Sequence, residues 1–148
     1  MGEGGERGEE MTVKESLISK EIVSYELARD GGTITFWFAP LDYRSKNPRP
    51  MTRLRTYGDC CSATWIEGID DPGALHGYVL DVEEILMPDQ VQRVTPLCPY
   101  PDSVAFYGLK ITTPHGRAVI EYRNNSNGYY GGSLEVDEVV NPTQEAPK

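Results

Sequence analysis

From Glu21 onward, most of the chain is built from short runs in which apolar and polar side chains alternate, separated by glycine, proline and asparagine. Successive side chains of a strand point to opposite faces, so a period of two predicts strands and not helices. Ile22, Val23, Tyr25 and Leu27 lie in a strand-like stretch over Glu21–Ala28, and Thr33–Ala39 is dense in β-branched and aromatic residues. Arg29-Asp30-Gly31-Gly32 between them tolerates positive φ, which predicts a first hairpin. Met51–Tyr57 reads as a third strand with Leu54 inward and Arg53 and Arg55 together on the opposite face. In Ser62–Ile69, Ala63 and Trp65 alternate against Thr64 and Ile66 as a fourth.

The rest of the pattern is less even. Asp71-Pro72 suits an N-cap and first helical residue, predicting a helix of one or two turns that reaches Leu75 before Gly77. Tyr78–Met87 leans to strand. Ser103–Thr112 and Arg117–Arg123, joined through Pro114-His115-Gly116, predict a second hairpin, and Tyr129–Val140 supplies a closing strand. The expected fold is therefore mainly β: an antiparallel sheet, small sandwich or half-open barrel with one short helix. Residues 1–16, whose start is Gly-Glu-Gly-Gly-Glu-Arg-Gly-Glu-Glu after Met1, read as a disordered acidic tail. One β-rich domain spans 17–140, and 141–148 form a polar exit.

Composition changes this picture in two respects. No run approaches the roughly 18 apolar residues of a membrane span, and an acidic, Gly-rich start lacks the basic-then-apolar order of a signal peptide, so a cytoplasmic location without membrane contact is expected. The net charge of -9 argues against duplex nucleic acid as partner, since that affinity comes mostly from Lys and Arg. The charge is also segregated. Tyr43–Thr56 holds five bases (Arg44, Lys46, Arg49, Arg53 and Arg55) and no acid, whereas Thr56–Gln92 holds eight acids and no Lys or Arg.

Candidate chemistry is sparse. Asp59-Cys60-Cys61 admits a thiolate nucleophile, a metal site or plain packing. A nucleophile needs a base within reach, and only His76 and His115 exist, each in a turn context. Zinc needs about four well-spaced ligands, and adjacent cysteines on a strand point opposite ways. These requirements favour packing, with no metal or cofactor assigned. Ser126-Asn127-Gly128-Tyr129-Tyr130 suits a turn that sends one tyrosine ring inward and the other outward, which is a structural reading. In the functional reading the outward tyrosine and the amides of Asn125 to Gly128 form one wall of a ligand or partner site.

Asp59-Cys60-Cys61 leading into Trp65-Ile66-Glu67-Gly68-Ile69, followed much later by Ser126-Asn127-Gly128-Tyr129-Tyr130, resembles a family of small uncharacterised bacteriophage and prophage proteins. The resemblance spans Glu21–Val136. Ser62 departs from it where many relatives carry an acid, as does Glu121-Tyr122-Arg123 where they carry Arg-Trp. The likeness implies a phage or prophage origin and no particular activity. P-loop, dinucleotide, zinc-protease and nucleophile-elbow signatures are all absent from the sequence. The expectation is a non-enzymatic binding protein of the host cytoplasm, acting in counter-defence against a host protein or a nucleotide signal. Its expected binding residues are Arg44, Arg49, Arg53, Arg55, Asp59, Asn127, Tyr129 and Tyr130. A minor virion component is the first alternative, and a metal-dependent nucleotide hydrolase using Asp70, Asp71, Glu83 and Glu84 the second.

Overall fold

The first hairpin forms where the alternation predicts it. The structure, a computed structural model, describes residues 11–40, 49–58, 63–86, 103–126 and 132–140. In it, β1 (Glu21–Leu27) pairs antiparallel with β2 (Thr33–Phe38). Gly31 turns the chain at φ +74°, and the Asp30 carboxylate accepts the Gly32 N–H at 2.8 Å, the local bond that makes Asp a turn residue. The Ile66 N–H donates to Gly31 O at 2.8 Å, so this turn also ties one sheet to the other.

One α-helix and seven further strands join them among the described residues, beside a short 3-10 turn: α1 (Val13–Leu17), β3 (Met51–Gly58), β4 (Ala63–Asp70), β5 (Gly77–Tyr78), β6 (Asp81–Leu86), β7 (Ser103–Thr113), β8 (Gly116–Ser126) and β9 (Gly132–Val140). The strands form two antiparallel sheets, ordered β5-β1-β2-β3-β9 and β4-β8-β7-β6. The mainly β sandwich expected from the sequence is the fold observed, and the described strands form no closed barrel. Ile22, Ile34, Phe36, Phe38, Leu54 and Leu134 from the first sheet meet Ile66, Val82, Leu109, Ile111, Ile120 and Tyr122 from the second in one core. The strand segment after Gly77 changes sheets. Tyr78 pairs with Glu21, and three residues later Asp81 pairs with Thr112.

Two sequence expectations require correction. The tail was expected to reach Ser16, yet Val13–Leu17 is an α-helix whose Val13, Ser16 and Leu17 are buried. Thr12 and Glu15 exchange bonds between side chain and backbone at 3.0 and 3.1 Å, a capping box. The Thr52 hydroxyl donates to Ser16 O at 3.1 Å, and Lys14 meets Asp81 at 3.3 Å, holding that carboxyl below its ordinary value. The helix thus fills the seam between the sheets. Past β4, the expected Asp71–Leu75 helix is a single 3-10 turn, Pro72–Ala74. Asp71 stands in the left-handed region at φ 60°, from which its side chain makes no cap bond.

Candidate functional site: a cleft along the free edge of β9

Side chains on the inner face of β6 show where the sandwich opens. Val82, opposite Ile111, is buried; Glu84, opposite Leu109, is exposed; Leu86, opposite Tyr107, is 65% exposed. An apolar side chain left uncovered on a core-facing row means that the two sheets part at this end. Across the gap runs β9, the last strand of its sheet, which pairs only with β3 among the described residues. The resulting cleft encloses about 740 Å³ and is lined by Met11, Thr12 and Val13 before and within α1, by Glu84 of β6, and by all seven residues of Ser133–Val139.

Tyr122 of β8 is buried in the core beside this cleft and does not line it. Its ring stacks on Tyr107 with centroids 5.2 Å apart, and the Leu134 backbone N–H donates to its hydroxyl. Thr56, opposite Leu134, turns its N–H toward Gly32 O on the β2 side at 2.9 Å, so the Leu134 N–H faces away from β3. Because N–H groups alternate between the two edges of a strand, the Val136 N–H shares the free edge. Burial holds the Tyr122 phenol well above its ordinary value, Glu84 and Tyr107 push the same way, and the Leu134 bond partly opposes them. A proton bound more tightly in the folded state makes a stability contribution that is fully present below about pH 10 and is lost as the pH climbs past the unfolded value. Tyr122→Phe is therefore expected to move the alkaline unfolding limb to higher pH and to remove one late-ionising tyrosine from an absorbance titration.

Charge along the cleft is one-sided. Glu84, Glu135, Asp137 and Glu138 line it, and no Lys, Arg or His does among the described residues. On the outer face of β9, a bulge inserts Asp137 between the pairs Leu54–Val136 and Arg53–Glu138. The extra residue lets two consecutive acids meet the two arginines. Arg53 bonds Glu138 at 2.8 Å and the Thr35 hydroxyl at 3.3 Å. Arg55 grips both Asp137 oxygens at 3.2 and 3.4 Å, which raises the guanidinium pKa.

None of the sequence-predicted binding residues that the structure describes lines this cleft, although Arg53 and Arg55 bond Glu138 and Asp137 at its rim. Arg53 and Arg55 do share the outward face of β3 as the alternation requires, and both carry carboxylate partners there. Arg49 is exposed just before β3. Arg44, Asp59, Asn127, Tyr129 and Tyr130 lie outside the described residues, as do Cys60, Cys61 and Cys98. The strand ends flanking the two motifs do meet, since Gly58 pairs with Gly132 and Ala63 with Asn125.

Sequence reasoning passed over Arg123. On β8 it faces away from the core, directly between Trp65 of β4 and Phe106 of β7. It is 1% exposed, its guanidinium stacks 4.3 Å from the Phe106 ring, and Glu121 lies at 3.4 Å. Its Nε and Nη1 have no hydrogen-bond partner among the described residues. An incompletely satisfied buried charge commonly costs more than an apolar residue of similar volume. Arg123→Met is expected to raise stability by about 1–2 kcal/mol in urea unfolding, whereas a drop would show that the stacked cation is a net stabiliser.

Among the described residues, no group of three or more His, Cys, Asp or Glu is placed to hold a metal ion, and no helix is long and apolar enough to cross a membrane. No protein-family model, curated protein or solved structure matches the chain.

Proposed function

We propose that the chain is a binding protein that accepts an extended segment of a protein partner along the free edge of β9. The observation that carries this reading is the cleft itself: seven consecutive residues of an edge strand line it, facing Glu84 across the gap. Unpaired edge N–H and C=O groups are a ready template for a further strand, and main-chain bonds of that kind supply affinity without demanding a particular sequence. Glu84 and Glu135, the cleft carboxylates not paired with Arg53 or Arg55, select a basic segment.

The resemblance carried by Asp59-Cys60-Cys61 and Ser126-Asn127-Gly128-Tyr129-Tyr130 supports a phage or prophage origin. A basic host protein engaged in the cytoplasm, with counter-defence as the outcome, is then the partner class. A nucleotide held by Arg53 and Arg55 is the weaker reading, because a phosphate would have to displace Asp137 and Glu138 from both guanidiniums. Affinity purification of the intact chain from infected cells, with mass spectrometry of bound proteins and small molecules, tests the proposal. Recovery of a stoichiometric host protein, cross-linked to β9, is the expected result. Recovery of a nucleotide alone, or of the chain only within purified particles, would overturn it.

A further inference from the structure

We propose that His76 and His115 form a two-histidine site for a divalent transition-metal ion such as zinc, nickel or copper(II). These are the only two histidines of the chain, 39 positions apart, and both are exposed. The fold brings their rings to a centroid separation of 5.0 Å with planes inclined at 53°. A metal about 2.0–2.1 Å from a nitrogen of each ring lies roughly 3 Å from each ring centre, which at a tetrahedral angle sets the centres about 5 Å apart. The two imidazoles stand at the ring separation that chelation of one ion requires, and neutral imidazole is a ligand suited to these metals.

The surroundings hold the pair in place. The buried Thr113 hydroxyl donates to Ala74 O at 2.7 Å and accepts the His115 N–H at 3.1 Å, so the β7–β8 turn is latched to the 3-10 turn that leads to His76. Gly77, at φ +95°, leaves space for the His115 ring: a Cβ there would lie 3.1 Å from its Cδ2 and 3.3 Å from its Nε2. Neither histidine lines the β9 cleft, so this site is independent of the proposed partner groove. An ion held by two protein ligands keeps its other positions open for water. Bound here, it clamps the β7–β8 hairpin to the segment that passes from one sheet to the other.

The experiment titrates ZnCl₂ and NiCl₂ into the full chain, made without a polyhistidine tag, by calorimetry. Wild type is compared with His76→Ala, His115→Ala and the double variant, all at exposed positions and checked for folding by circular dichroism. One ion per chain is expected, with either single substitution weakening binding about 100-fold, because the second ligand acts as an intramolecular one. The double variant should lose little more than either single one. Zinc should raise the melting temperature of the wild type and leave the variants unmoved. Binding of wild-type strength in the double variant, or a loss in each single variant of only about half, would overturn the proposal, as would no binding to the wild type.

Discussion

Gly31→Val is expected to destabilise the fold by about 3 kcal/mol or more, through three effects acting at one atom. The residue sits at φ +74°, where a β-branched side chain is strained. The new Cβ would stand 2.9 Å from Ile66 O and 3.3 Å from Ile66 N, backbone atoms of the opposite sheet that cannot turn aside as a side chain would. Moving the turn outward to relieve that contact breaks the 2.8 Å bond from the Ile66 N–H to Gly31 O. Urea unfolding measures the loss, and Gly68→Ala provides the contrast. An added Cβ at Gly68 meets nothing within 4 Å, so that substitution should change stability by less than about 1 kcal/mol, in the stabilising direction. Equal losses at the two positions would show that the turn does not join the sheets.

Glu84→Lys and Val136→Pro are expected to reduce partner binding by about 10- to 100-fold while leaving the fold in place. Glu84 is exposed on β6, opposite the free edge of β9, and replacing it reverses one of the carboxylates that select a basic segment. Its effect should shrink as salt is raised, because the cleft is open to solvent. Val136→Pro acts differently. It removes an N–H that faces the cleft without removing one that bonds β3, the position at which an edge strand tolerates proline. Val136 also packs against the core, so some stability is lost with it. Glu84→Lys therefore separates lost binding from lost folding. If both variants bound the captured partner as wild type does, the partner would lie elsewhere on the surface.

Much of the architecture could be read from side-chain order because the forces that set it are local. Alternation in Thr33–Phe38 and Met51–Gly58 decides which side chains face inward, and Ile34, Phe36 and Leu54 are indeed fully buried. The turn at Asp30-Gly31-Gly32 and the two-residue connection Pro114-His115 were legible for the same reason, since a few residues contain all the chemistry of a turn. The α1 helix is equally local. Thr12 and Glu15 spell a capping box, but beside a Gly-rich acidic stretch the five-residue helix offered too short a period to stand out. Its stability comes from Leu17 entering the core and from Thr52 bonding Ser16, contacts that join distant parts of the chain.

The candidate sites depended on such distant contacts throughout. That Arg53 and Arg55 point outward follows from their spacing; that Asp137 and Glu138 both reach them follows from a bulge about eighty residues later, which alternation does not encode. The structure divides the acids of Thr56–Gln92 between faces, with Glu83 on the outer face bonded to Lys110 at 3.1 Å and Glu84 at the cleft. His76 and His115 each read as an isolated turn residue until two loops packed together. By itself the sequence determined the class of fold, the first and last hairpins, the inward rows and the pairing of the β3 arginines on one face, because neighbouring side chains and backbone angles decide these. Only the tertiary structure decided which strand stands at a free edge among the described residues, where the sheets part, which arginine was buried and which histidines met. Each of these is set by the order in which strands pack, and that order is a property of the whole chain.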